Sequence, residues 1–409
     1  MAGVNQIRHT IKPTKDMAIK LAMFIVCPVL SFFYSLRNAW SKSSYAIFFL
    51  FALLFGIAFT IPQDVYFDSV SYVKQFEDIV RNNDISHIID NYGKEDSVKD
   101  IYTYVVCYIV SLFSSNYHVL FFVYAAVFAF FMLKSLKFLT DQKVFSNNLL
   151  CFLLMVMFIM QNSIFNINGV RWCTAGWIAC YALLEIILNN NKRYIILLCA
   201  TPLVHLSFGI VIIVFAAYLL LKKRFTLLYV LLILSFGYSS IGSLLLATIK
   251  DSFAPQFVSK YFGSYLIEGG YENMYFKRGY NITEMLYMRD WPIVFANICL
   301  FFFISKRKSM NKENQKFFAF ILVFMILTNL IVRVGDAGYR QLRIIYPLIA
   351  ILWLKVFEGK KYNNIIYVLM PIALSYRIYQ SVIHYSTVTS VGDYIFTPIY
   401  TVIKQLYIN

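Results

Sequence analysis

The residue types best suited to an anionic substrate are arginines placed at the edges of apolar segments. Arg171 stands in Asn166-Ile-Asn-Gly-Val-Arg171-Trp172, where such a segment begins, and Arg278, Arg289, Arg333, Arg340 and Arg343 fall near the ends of later ones. Arginine's planar fork fits phosphate oxygens bidentately, and its high pKa keeps it charged in a partly desolvated cleft. A helix starting at Arg171 would add backbone donors and the positive end of a dipole. A pyrophosphate is the ligand these residues suit. Singly, each arginine is equally open to snorkelling or to pairing with Asp290 or Asp336.

Two further side chains could move a proton. In Pro62-Gln-Asp-Val-Tyr-Phe-Asp68-Ser-Val-Ser-Tyr72-Val-Lys-Gln-Phe76, helical spacing puts Asp68, Tyr72 and Gln75 or Phe76 on one face. Asp68 would then be a general base, or orient a sugar hydroxyl, or simply cap a helix above an aromatic stripe. Tyr72 would contact substrate beside it. His205, in Leu203-Val-His205-Leu-Ser207, is either a base or a satisfied histidine at a turn. There is no Walker loop, metal-ligand spacing or nucleophile motif, so no metal or cofactor is expected. Asn281-Ile-Thr283 matches a glycosylation acceptor only formally.

The elements that must position these residues are set by composition. The chain is 60% hydrophobic and only 14% charged over 409 residues, so lipid is its main solvent. Runs such as 195–221 and 225–249 are long enough to cross roughly 30 Å of hydrocarbon. They are apolar all round, which argues for helices and against a barrel of alternating strands. The expected fold class is therefore an all-α polytopic integral membrane protein, one membrane domain over 1–409.

The net charge of +16 sits in short gaps: Lys134, Lys137 and Lys143; Lys192 and Arg193; Lys222 to Arg224; Lys306 to Lys308; Lys360 and Lys361. That is the positive-inside pattern rather than a nucleic-acid surface. The seven cysteines are scattered and read as small core hydrophobes. No cleaved signal peptide is read at the N-terminus.

With basic gaps inside, charge parity predicts external loops at about 63–116, 250–290 and 333–343, and an external tail at 382–409. The run Ile101 to Ser114 is too short to cross and reads as an interfacial helix, with Tyr102, Tyr104 and Tyr108 near the headgroups. Tyr194 to Leu221 starts and ends at basic gaps, so it must be two half-helices meeting near Pro202 to Gly209, with His205 at the break. The total is roughly eleven to thirteen membrane segments, half-helices included. The basic N-terminus falls outside unless Met17 to Leu36 is re-entrant. The predicted arginines face the external side, which positive-inside bias should deplete, and this strengthens a binding role for the group.

These residues resemble the EpsG family of Wzy-type polysaccharide polymerases. The match rests on the Asp68-Ser-Val-Ser-Tyr72 and Phe76 element, Asn168-Gly-Val-Arg171, the His205 turn, and Arg340 with Arg343. The resemblance implies a metal-independent glycosyltransferase of GT-C-like fold in a bacterial cytoplasmic membrane, with an extracytoplasmic active site. It implies undecaprenyl-pyrophosphate-linked oligosaccharide as donor and acceptor, and leaves open whether the acidic first loop recruits a chain-length regulator as a further partner. Arg171, Arg340 and Arg343 would hold the pyrophosphate, and Asp68 or His205 would handle the acceptor hydroxyl. A ligase or single-sugar transferase would use similar arginines. A flippase would be expected to show internal repeats and midplane polar residues.

Overall fold

A computed structural model describes residues 13–61, 68–82, 100–141, 149–237, 281–332, 337–357, 362–386 and 398–408. Among them the chain is helical throughout, with no β-strand. Tyr117–Thr140, Leu149–Ile187 and Lys312–Ile331 are long and apolar enough to cross a membrane, and several shorter apolar helices accompany them. The protein is membrane-embedded.

The N-terminal segment forms two short helices rather than one. Helix α1 (Pro13–Val26) stops at Cys27, which is extended, and Pro28 opens α2 (Pro28–Leu36). Proline lacks the donor needed to continue α1 but fits the first position of α2. The two helices fold back on each other: Ser31 Oγ donates to the Lys20 carbonyl at 2.8 Å. Lys20 is fully buried, and its ammonium bonds to Asp16 and to the hydroxyls of Ser41, Ser43 and Ser44 at 2.7–3.0 Å. Each helix is about 21 Å or less in length, too short to span alone.

Helix α3 (Lys42–Ala58), capped by Ser41, packs closely on α6 (Tyr117–Thr140). Gly56 makes this possible, since a Cβ there would lie 2.6 Å from the Phe121 carbonyl oxygen. Between them come α4 (Asp68–Asn82) and α5 (Ile101–Ser111). The short α5 matches the expected interfacial helix in length, but its tyrosines do not face outward. Tyr104 is buried and Tyr102 packs on Tyr124, whereas Val105, Ile109, Leu112 and Phe113 are exposed. The aromatic rings fill space beside α6, leaving the aliphatic face of the helix outermost.

The next four helices carry two breaks. Helix α7 (Leu149–Met160) leads into a 3₁₀ turn (Ile164–Gly169), and α8 (Val170–Ile187) follows. The break is satisfied from within: Asn162 Nδ2 donates to the Cys173 carbonyl and Trp177 Nε1 to the Asn162 carbonyl, both at 2.9 Å. Unpaired backbone groups in lipid would be costly, so such a break persists only where side chains close it. Helices α9 (Tyr194–Val204) and α10 (Gly209–Leu221) are the two expected half-helices, with His205 extended between them and a 3₁₀ turn at Leu206–Phe208.

Helix α11 (Phe225–Gly237) accounts for the first part of the 225–249 run, the rest of which lies outside the described residues. Helices α12 (Trp291–Lys306) and α13 (Lys312–Ile331) pack beside it. They are joined by a buried polar junction, in which Asn297 and Asn329 exchange hydrogen bonds at 3.0 and 3.1 Å and Asn329 donates to Ser235 at 3.0 Å. Helix α14 (Ala337–Phe357) packs against α7 and α8, and α15 (Asn363–Ser386) completes the bundle.

Candidate functional site

Arg171 is the second residue of α8, behind the Gly169 cap, and the expected helix start is there. Its partner within the protein is a carboxylate outside the candidate motifs. Arg171 Nη1 lies 2.9 Å from Asp100 Oδ2. Asp336, one of the two acids considered for the arginines, lies outside the described residues. Asp100 stands directly before α5 and makes no side-chain cap there. Instead its second oxygen accepts the Leu206 N–H at 3.1 Å. One buried carboxylate thus ties the start of α8 to the break beyond His205.

Tyr72 supplies the second contact. Its hydroxyl accepts from Arg171 Nε at 2.8 Å and donates to the Asn168 carbonyl at 3.1 Å. The Arg171 guanidinium carbon is 4.7 Å from the centre of the Tyr72 ring. Burial raises the Tyr72 phenol well above the ordinary tyrosine range, with the nearby Arg171 acting against that shift. It therefore serves as a neutral O–H. Tyr72 and Phe76 share the buried stripe of α4, as their spacing predicts, together with Ser69 and Ile79.

Asp68 opens α4 and is 61% exposed, with Oδ2 3.8 Å from Arg171 Nη2. His205 is buried; its Nδ1 accepts the Ser207 N–H at 3.3 Å and lies 2.8 Å from Ser207 Oγ. An N–H pointed at Nδ1 places the proton of the neutral ring on Nε2. His205 thus closes its own turn as well as facing the site.

Arg340 and Arg343 were expected in a loop, but α14 already begins at Ala337, so both sit in its first two turns. The apolar positions Tyr339, Leu342 and Tyr346 recur at helical spacing and pack inward, which carries the helix back to Ala337. Arg343 lies over the Trp172 ring, its guanidinium carbon 5.6 Å from the ring centre, and Trp172 in turn meets Phe208 at 5.4 Å. Arg340 is within electrostatic reach of His205 and Cys173, and Arg343 of Cys173. Around this junction, Arg343 Nε, Trp172 Nε1 and the Asn168 side-chain amide are buried with no partner among the described residues. Among the described residues, this hydrogen-bonding capacity is unused.

The structure therefore brings Asp68, Tyr72, Arg171, His205, Arg340 and Arg343 into one neighbourhood, and adds Asp100 and Trp172. Arg278 and Arg333 lie outside the described residues, as does the side chain of Arg289. The backbone of Arg289 belongs to the turn before α12, which Tyr346 ties to α14 by donating to the Pro292 carbonyl. Among the described residues, no group of three or more His, Cys, Asp or Glu side chains is placed to hold a metal ion.

The EpsG family model matches residues 44–396. This range includes every residue of the site just described. No curated protein and no solved structure matches the chain. The match spans most of the chain, so the protein belongs to the EpsG family, a family of Wzy-type polymerases.

Proposed function

We propose that this protein polymerises lipid-linked oligosaccharide repeat units at the outer face of the bacterial cytoplasmic membrane, as a multi-pass, GT-C-like glycosyltransferase. In the reaction, a hydroxyl oxygen of the acceptor unit attacks the anomeric carbon of the growing glycan. The bond from that carbon to undecaprenyl pyrophosphate breaks, and the pyrophosphate leaves with the electron pair. The hydroxyl proton passes to a base. Arginines facing the leaving group stabilise its developing charge most where water is excluded, and no metal ion takes part.

The observation that carries this reading is the junction of Arg171, Asp68, Arg340 and Arg343 in a family of polysaccharide polymerases. Arg340 and Arg343 are assigned to the pyrophosphate with Arg171. Asp68 is assigned as the base in preference to His205, because the carboxylate is exposed while Nδ1 of His205 already accepts from Ser207. Unpartnered groups such as Trp172 Nε1 would meet sugar hydroxyls.

The test is reconstitution of the full chain in vesicles with a lipid-linked repeat unit, followed by separation of products by length. A polymerase generates a ladder of products. A single addition would instead indicate a ligase or single-sugar transferase, and transbilayer movement without bond formation would indicate a transporter.

A further inference from the structure

Arg171 divides its nitrogens unequally. Nε and Nη1 are held at 2.8 and 2.9 Å by Tyr72 and Asp100, both buried partners. Nη2 faces Asp68 at 3.8 Å, beyond direct hydrogen-bond reach, and Asp68 is the exposed member of the cluster. One face of the guanidinium is covered by the Tyr72 ring. Arg171 nevertheless keeps 15% of its side chain exposed. The Nη2 edge is therefore the edge by which an anion can approach, and Asp68 stands on that approach.

We infer that the donor's pyrophosphate and the Asp68 carboxylate compete for Nη2 of Arg171, so that donor binding is the event that turns Asp68 toward the acceptor hydroxyl. The inference rests on the polymerase reading and deepens it. A phosphate that takes Nη2 brings a second anion up against the Asp68 carboxylate and repels it. Asp100 cannot be displaced in the same way, because its other oxygen is anchored on the Leu206 N–H and its side chain is only 6% exposed. The buried acid therefore fixes the guanidinium, and the exposed acid guards it. Binding would be ordered, donor first, and the base would be released only when there is a glycan to transfer.

This arrangement gives Asp68 opposite effects on binding and turnover, which a purely structural or purely binding role would not. The test measures affinity of the full chain, in lipid nanodiscs, for undecaprenyl pyrophosphate carrying no sugar. Asp68→Asn should bind it about two- to fivefold more tightly than the natural chain, the range an exposed ion pair contributes, while forming no polymer. In an Arg171→Lys background the same Asp68→Asn change should give no gain. Unchanged or weaker binding by Asp68→Asn, or a gain that survives Arg171→Lys, would overturn the competition while leaving the polymerase reading intact. Failure of the natural chain to bind undecaprenyl pyrophosphate would remove both.

Discussion

Asp100 and Arg171 meet at 2.9 Å although 71 positions separate them in the sequence. Because Asp100 also accepts the Leu206 N–H, this one pair joins two helix breaks. The candidate site is built around that contact.

Removing the cation should damage the fold as well as the chemistry. Arg171→Ala leaves the buried Asp100 carboxylate without its counter-charge, which costs on the order of 3 kcal/mol. Arg171→Lys keeps the charge but cannot satisfy Tyr72, Asp100 and Asp68 with one fork. The expected outcome is poor yield of monodisperse protein for Arg171→Ala, and folded protein with at least about tenfold less polymer for Arg171→Lys. Size-exclusion profiles and polymer yield at equal expression check both.

Tyr72→Phe keeps the ring over Arg171 and removes only the hydroxyl between Arg171 Nε and the Asn168 carbonyl. The loss should be about 1–2 kcal/mol of stability, with the bundle intact. Polymer formation should fall more steeply than stability does, because Arg171 is no longer held in place at Nε. Thermal unfolding and initial rates measured on one preparation separate the two effects.

Asp68 and His205 are distinguished by their surroundings. His205→Asn retains a side-chain acceptor for the Ser207 N–H, the role of an Asx turn, and should keep a substantial part of the activity. Asp68→Asn should form no polymer at equal expression. The reverse ranking would make His205 the base.

The helical period and charge pattern made much of this legible beforehand. The Tyr72 and Phe76 stripe, the start of α8 just before Arg171 and the His205 break all follow from local spacing, charge parity or backbone demands in lipid. Asp100 did not emerge, because an acid before an apolar helix looks like a cap, and nothing local connects it to a position across the sequence. The placement of Arg340 and Arg343 was also misread. Charge parity suggested an external loop at 333–343, whereas inward packing of Tyr339 and Leu342 starts the helix earlier. The outward aliphatic face of α5 was missed for a similar reason: tyrosine suits headgroups, but here it packs against other aromatic rings.

The scaffold can be tested away from the site. Gly56→Ala would bring a Cβ within 2.6 Å of the Phe121 carbonyl oxygen and 2.8 Å of the Ala125 Cβ. Both contacts lie on a neighbouring helix that cannot yield as a flexible side chain would. Pushing α3 from α6 should cost about 1–3 kcal/mol, read as a lower unfolding temperature in detergent.

The most direct test of the central claim is to count undecaprenyl pyrophosphate released for each new glycosidic bond, in vesicles holding the purified chain and a labelled lipid-linked repeat unit. Transfer from the lipid pyrophosphate predicts equal numbers of both, with Asp68→Asn abolishing the two together. Bonds formed without release of undecaprenyl pyrophosphate, or an Asp68→Asn chain that works at the natural rate, would contradict it.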